Sequence, residues 1–259
     1  MRRPRISVVV PAYNEERDIA GTLAALRDWL SAHEPAWEIL VVDNASTDRT
    51  RERLAPFVDG AQITLLVNER NRGKGYSVRR GMLAAQGELR LHCDADCAPS
   101  LASLPRMLEL IAGADLVVGS RLAPGAAVGQ RQPLRRRIVG RSFVLLCRAL
   151  LSEPTNDLFC GFKLWRAEAA VETFDRIALE GWTFDAEAIA MARALGFRIR
   201  ETGIAWADRD GSRLSMARVL VPVVRELLEA RRHVRRAAAN PGLAPLRVAA
   251  GAEATDTRR

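Results

Sequence analysis

Between Ile6 and Ser120 the chain switches repeatedly between two hydrophobic periods, and this alternation constrains its fold more than any other feature. Ile6-Ser7-Val8-Val9-Val10 reads as a buried strand, after which Ile19, Leu23, Leu26 and Leu30 recur at helical spacing. Residues 38–42 repeat the strand signal and end in Asp43-Asn44-Ala45-Ser46-Thr47-Asp48. There Thr47 or Asp48 is placed to cap a helix beginning near Arg49. Ile63–Val67 reads as a third strand, followed by a helix over 76–85; Leu89–Cys93 and Leu116–Ser120 read as the fourth and fifth. Strands alternating with helices in this way predict an α/β fold, a mostly parallel central sheet flanked by helices on both faces.

In such sheets ligands gather beyond the carboxyl ends of the strands. Five polar clusters fall at such ends: Tyr13-Asn14-Glu15, Asp43-Asn44, Asn71-Arg72-Gly73-Lys74-Gly75, Asp94-Ala95-Asp96 and Gly119-Ser120-Arg121. The acidic triplet is the most costly of these, because it sets two carboxylates one residue apart. That arrangement becomes favourable when a divalent cation lies between the carboxylates and an anionic ligand, since hard cations take oxygen donors. Familiar nucleotide loops do not match. Asn68 stands where a P-loop needs its first glycine, Gly75 where Ser or Thr would follow the lysine, and Val78 where a dinucleotide fingerprint needs its third glycine.

At 259 residues and 48% hydrophobic, the chain can bury one substantial core. Residues 1–236 are expected to form a single domain, with a first half of about 1–121 and a second of about 122–236; residues 237–259, rich in Ala, Gly, Pro and Arg, are expected to be disordered. The net charge of +8 points to an anionic partner, although Lys74 and Lys163 are the only lysines and the basic charge is otherwise arginine. Nucleic acid fits poorly, because aromatics make up 5% and no recognisable module is present. Cys93, Cys97, Cys147 and Cys160 offer neither zinc spacing nor a disulfide framework, which suits a reduced, cytoplasmic compartment. No apolar run approaches the ~20 residues that span a bilayer.

Beyond Arg121 the pattern loosens. Residues 124–133 read as a loop, followed by the cationic cluster Arg131, Arg135, Arg136, Arg137 and Arg141 and an apolar helix over 138–151. Residues 157–165 look extended, 167–174 and 185–195 helical, 198–206 extended, and 215–236 a long basic helix. That last helix is amphipathic, so it can pack its apolar face on the core or lie on an anionic membrane, where each cation adds ~1 kcal/mol.

Taken together, the blocks Val10-Pro11-Ala12-Tyr13-Asn14-Glu15-Glu16, Val41-Val42-Asp43-Asn44-Ala45-Ser46-Thr47-Asp48, Asn71 to Gly75, Asp94-Ala95-Asp96 and Gly119-Ser120-Arg121 resemble the inverting family 2 glycosyltransferases of GT-A fold. Cys160-Gly161-Phe162-Lys163, Phe184-Asp185-Ala186-Glu187 and Gly211-Ser212-Arg213 look most like the dolichyl- or polyprenyl-phosphate hexosyltransferases, above all the dolichyl-phosphate glucosyltransferase branch. The resemblance implies transfer of a hexose from a nucleotide diphosphate sugar to a polyprenyl or dolichyl phosphate, assisted by Mg²⁺ or Mn²⁺. It implies donor contacts from Pro11, Tyr13, Glu15, Asp43, Asn44 and Lys74, with Asp94 and Asp96 at the sugar and metal. Asp94, Asp96 and Asp185 are the candidate catalytic residues. Asp185, with Glu187, is suited to orienting an acceptor or, for a hydroxyl acceptor, supplying the base. Both acidic groups equally suit the positive end of a helix. Arg121, Arg135, Arg141, Ser142 and Arg213 are the candidate partners of an acceptor phosphate. Two departures bear on the donor. Asn44 replaces a usual Asp, keeping an acceptor oxygen but losing the charge, which bears on base preference. Ala98 stands where the mannosyltransferase branch often has a Gln ligand, and this second departure favours a UDP-glucose-like donor over GDP-mannose. A lipid acceptor implies a cytoplasmic enzyme peripheral at the inner face of the cell membrane. A soluble or lipid-glycan hydroxyl acceptor, or a catalytically silent nucleotide-binding scaffold, is the competing expectation.

Overall fold

The structure, a computed structural model, describes residues 3–129, 134–206 and 216–239; the side chains of 128, 134–142 and 216–222 lie outside the description. In chain order its elements are β1 (Ile6–Ala12), α1 (Ile19–His33), β2 (Trp37–Asp43), α2 (Thr50–Leu54), β3 (Ile63–Val67), α3 (Lys74–Ala84), β4 (Leu89–Cys93), α4 (Leu104–Leu110) and β5 (Leu116–Ser120). They continue with β6 (Ala127–Val128), α5 (Leu134–Leu151), β7 (Phe162–Arg166), α6 (Ala167–Arg176), α7 (Phe184–Ala194), β8 (Ile199–Gly203), β9 (Ala205–Trp206) and α8 (Met216–Ala239).

Seven strands form one sheet in the order β3-β2-β1-β4-β7-β5-β8, and β6 pairs separately with β9. All seven run parallel except β7, which lies antiparallel between β4 and β5. The carboxyl ends of β1, β2, β3, β4, β5 and β8 therefore share one rim, together with the amino end of β7. The expected α/β architecture is present; helices α3 and α5 begin earlier than expected, at Lys74 and Leu134, and two of the strands differ. Residues 157–161 form a loop and only 162–166 pair in the sheet, and the stretch 198–206 divides into β8 and β9 because β9 leaves the main sheet to pair with β6.

Both faces of the sheet are covered, which is why β1 is buried along its whole length. Ile6, Val8 and Val10 point into a layer with Ile19, Leu23, Leu26 and Leu30 of α1 and Leu104 and Met107 of α4. Val9 points the other way, into a layer built from α3, α5, α6, α7 and α8. The four α1 residues are fully buried, a gross gain on the order of 6–12 kcal/mol before conformational entropy is counted. Helix α1 ends at Glu34 because Pro35 disfavours helical geometry in the residue before it.

Helix α8 spends its apolar face on this core. Val223, Leu227 and Ala230 are buried, while Arg225, Arg232, Arg235 and Arg236 remain exposed. The helix runs to Ala239, past the expected limit at 236, and residues 240–259 lie outside the described residues. Among the described residues no helix is long and apolar enough to cross a membrane.

Candidate functional site

The loops after β1 and β2 are laced together. Asn14 adopts a left-handed φ of 57°, and Ala45 one of 60°. Asn tolerates this conformation and Ala does so at some cost. The turn presents the Asn14 Oδ1 to the backbone N–H groups of Thr47 and Asp48, and Asn14 N–H donates to Ser46 Oγ. The expected cap by Thr47 or Asp48 is not made: Arg49 occupies the N-cap position of α2 without a side-chain capping bond, and Asp48 instead accepts from Thr50 N–H at 2.9 Å in the turn that leads into the helix. Asp43 is fully buried, accepting from Ser46 N–H at 3.2 Å and from Arg51 Nε at 2.6 Å. Asn44 holds the loop after β3: its Nδ2 donates to Asn71 Oδ1, and its Oδ1 accepts from Asn68 Nδ2 and Arg72 N–H. An Asp here could not make the first of these bonds, so the amide has a use of its own. Tyr13 projects from the rim with 43% of its surface exposed, beside buried Pro11.

The glycines of the Asn71–Gly75 loop admit another stretch of chain rather than a phosphate. Gly75 N–H donates to Gly181 O and Tyr76 N–H to Glu180 O, both at 3.2 Å, so two of the first amides of α3 are already satisfied. Gly73 has a φ of 101°, and a Cβ there would overlap the Glu180 carbonyl. Arg72 ties the same segment by pairing with the Glu180 carboxylate.

Lys74 opens α3 and reaches the acidic triplet, its Nζ 2.6 Å from Asp94 Oδ2 and 3.8 Å from Asp185 Oδ2. Burial works against the charge of Lys74, but Asp94 and Asp185 outweigh it and raise its pKa. Burial likewise opposes ionisation of Asp94, yet Lys74 and His92 hold it well below the usual carboxylate range. Gly161 is required beside this carboxylate, because a Cβ there would collide with it. Asp96 has no ion-pair partner among the described residues, and burial, then Asp94, push its pKa up. Glu15 is pushed up to about 7, by burial first and then by Asp96 and Asp94. Carboxylate oxygens of Asp94 and Asp96 and the Cys97 sulfur all lie within 4.8 Å of one another.

These groups test whether a divalent ion belongs here. Among the described residues, Glu15, Asp94, Asp96 and Asp185 face two ammonium groups, Lys74 and Lys163, and the two carboxyls without an ion-pair partner are the two whose ionisation is suppressed. A hard dication relieves that surplus, and the donor set of two carboxylates fits it. Cys97 lies beside the two carboxylates as a fully buried thiol that burial keeps protonated, so the oxygen donors come from Asp94 and Asp96.

The two second-half carboxylates singled out by the sequence are buried. Asp185 is 2% exposed and accepts from Lys163 Nζ at 2.5 Å. Glu187 accepts from Ala178 and Leu179 N–H and pairs with His233 of α8 at 3.0 Å, so it anchors the segment ahead of α7. Arg121 is engaged as well. Its Nε and Nη2 donate to Asp157 at 2.7 and 2.8 Å, its guanidinium lies 5.4 Å from the Trp206 ring centroid, and Asp157 is 2% exposed. Burial opposes the charge on Arg121, but Asp157 outweighs it and raises the pKa. The side chains of Arg135, Arg141 and Ser142, and Arg213 entirely, lie outside the described residues. His92 and Lys163, both 1% exposed, also border the site; nothing in the linear spacing marked their proximity.

Comparison with known proteins follows the same lines. The family model described as glycosyl transferase family 2 matches residues 7–174. A dolichyl-phosphate beta-glucosyltransferase of Dictyostelium discoideum is 30% identical over 241 residues, covering 87% of this chain and 73% of that protein. One of Mus musculus is 30% identical over 232 residues, covering 81% and 69%. Among solved structures, a Mycobacterium tuberculosis glucosyl-3-phosphoglycerate synthase in complex with Mn²⁺, UDP and glucosyl-3-phosphoglycerate superposes with a TM-score of 0.66 at 19% identity, over 89% of this chain and 80% of that one. This last likeness establishes a shared fold.

Proposed function

The chain belongs to glycosyl transferase family 2 and is a glycosyltransferase, and from that premise we propose that it moves glucose from UDP-glucose to a polyprenyl or dolichyl phosphate with inversion at the anomeric carbon. The observation that carries this reading is the cluster at the end of β4, where Asp94 is paired with Lys74 while Asp96 and Glu15 remain uncompensated. The relatives' names supply the sugar and the lipid phosphate.

Asp96 and Asp94 would hold Mg²⁺ or Mn²⁺ through their carboxylate oxygens. When bound, that ion supplies Lewis-acid neutralisation of the charge that grows on the departing diphosphate. Lys74 supplies a second, permanent cation at the same place, kept protonated by its two carboxylate neighbours. Tyr13, Pro11, Asp43 and Asn44 line the rim that takes the nucleoside. The interlaced loops keep that rim preorganised, so little reordering is needed when the donor binds. A phosphate monoester brings an already ionised oxygen as nucleophile and requires no strong base. Asp185, buried in an ion pair with Lys163, is not available as the base that a hydroxyl acceptor would have asked of it. Arg135, Arg141, Ser142 and Arg213 are proposed to receive the acceptor phosphate, while Arg121, the fifth candidate, is committed to Asp157 and is proposed to serve the fold. The arginine face of α8 is proposed to rest on the anionic lipid surface that the acceptor occupies.

The test is transfer of radiolabelled glucose from UDP-glucose into polyprenyl phosphate in detergent. Product is expected with Mg²⁺ or Mn²⁺, none with chelator, and a loss of about 100-fold or more in Asp96→Asn. Full turnover by Asp96→Asn, or no transfer from UDP-, GDP- or dTDP-hexoses, overturns the proposal.

A further inference from the structure

We propose that Lys163 and His92 are positioning residues that fix Asp185 and Asp94 around Lys74. This rests on the reading of Lys74 and Asp94 as donor-site groups. The antiparallel pairing of β4 with β7 sets His92 directly opposite Lys163, so both side chains leave the same face of the sheet, the face covered by α7. Lys163 Nζ donates to Asp185 Oδ1 and to Cys160 O, each at 2.5 Å. Asp185 turns its other oxygen toward Lys74, 3.8 Å away, and Lys74 completes the chain to Asp94 at 2.6 Å. His92 closes it from below, with Nε2 at 3.1 Å from Asp94 Oδ1.

The Asp94 carboxylate can only accept, so Nε2 carries the hydrogen and Nδ1 is bare. Nδ1 has no hydrogen-bond partner among the described residues and stands 3.7 Å from Asp185 Oδ1. The result is a string of two ammonium groups, two carboxylates and one imidazole, of which Lys163, His92 and Asp185 are at least 97% buried by side chain.

Stability does not account for this string. A buried ion pair is at best roughly neutral compared with apolar residues of similar volume, because desolvation consumes the attraction. An apolar pair between β7 and α7 would pack the same space without an unpartnered imidazole nitrogen. What the polar string does provide is a fixed wall for Lys74, whose flexible four-carbon stem would otherwise be drawn to the uncompensated Asp96 and Glu15. Held between Asp94 and Asp185, the ammonium keeps one direction as a diphosphate enters.

The variants K163M, K163M/D185V, H92Q and H92L distinguish positioning from packing. Each is measured for melting temperature, for UDP-glucose affinity by calorimetry, and for transfer. K163M alone strands a buried carboxylate and is expected to melt lower. K163M/D185V is expected to recover to within about 3 °C of the wild type, yet to lose about 10–100-fold in kcat. H92Q keeps an N–H for Asp94 and is expected to retain UDP-glucose affinity, whereas H92L loses about tenfold. A double variant that melts, binds and transfers like the wild type overturns the proposal and makes the string packing alone. Should the double variant not fold, the contrast between H92Q and H92L decides, and equal behaviour of the two overturns it. Should the wild type transfer no hexose at all, the proposed function falls, and nucleotide-sugar affinity across the variants still decides the positioning role.

Discussion

Replacing Gly73 by Ala should damage this protein more than its small volume suggests. Gly73 combines a φ of 101° and ψ of 162° with direct packing against the Glu180 carbonyl, whose carbon would stand 2.9 Å from the new Cβ. That backbone region is essentially confined to glycine and costs about 1–3 kcal/mol for other residues. Overpacking against a main-chain group adds about 1–3 kcal/mol, because a carbonyl fixed by its own hydrogen bonds yields less than a side-chain tip. Reduced entropy of the unfolded chain returns about 0.4–1 kcal/mol. The net expectation is a loss of about 1–5.5 kcal/mol in urea unfolding at constant m-value, with a middle value of about 3 kcal/mol. Gly60→Ala isolates the backbone contribution, since its φ is 69° and nothing lies within 4 Å of the added carbon; it should cost only about 1 kcal/mol. Gly21→Ala, exposed on α1 with open space around it, should stabilise by about 0.5–1 kcal/mol. If Gly73→Ala costs no more than Gly60→Ala, the junction between the Asn71–Gly75 loop and residues 179–181 is not tightly packed, and the account of those glycines fails.

Arg121→Ala leaves the buried Asp157 carboxylate alone and should lower unfolding free energy by about 3–5 kcal/mol, with Arg121→Lys intermediate because an ammonium cannot bind both oxygens. Unchanged stability in either variant would mean that Arg121 is free for a ligand rather than committed to Asp157. Glu15 has a folded pKa of about 7 against an ordinary 4.5, so folding favours its protonated form. Its ionisation therefore costs stability progressively as pH rises from about 4.5 to 7, by about 1–2 kcal/mol after allowance for partial exposure. Glu15→Gln should accordingly exceed the wild type in stability at pH 8, with the gap shrinking toward pH 5; a gap that does not change with pH contradicts the assigned environment. Pelleting with anionic but not neutral vesicles at low salt, reversed at high salt, is expected if the arginine face of α8 meets the lipid surface; equal recovery from both vesicle types argues against it.

The first five strands were readable because each is a short apolar run closed by a polar loop, and local pattern sufficed to predict the shared rim. The direction of β7 was not readable. Phe162–Arg166 has the same apolar character whichever way it runs, and only its pairing with both β4 and β5 fixes it as antiparallel. With that direction hidden, the meeting of His92 with Lys163 was hidden too. Arg121 looked like a free cation because Asp157 lies 36 residues further on, and distance along the chain conceals such partners. The glycines near Lys74 were compared with phosphate-binding loops, whereas their close neighbour is backbone more than 100 residues away in sequence. Asp94 and Asp96 needed no such long-range knowledge, since adjacent carboxylates at a strand end are costly wherever the rest of the chain goes.

The single reversed strand also governs the order in which the sheet can be completed during synthesis. β5 has β7 on one side and β8 on the other, both encoded later. As the polypeptide emerges, β1 to β4 can assemble with one another, but β5 must wait with both edges unsatisfied until the C-terminal portion arrives. A nascent chain halted near Arg121 would thus carry an aggregation-prone orphan, and the two halves suggested by the sequence could not be produced separately and mixed with full effect.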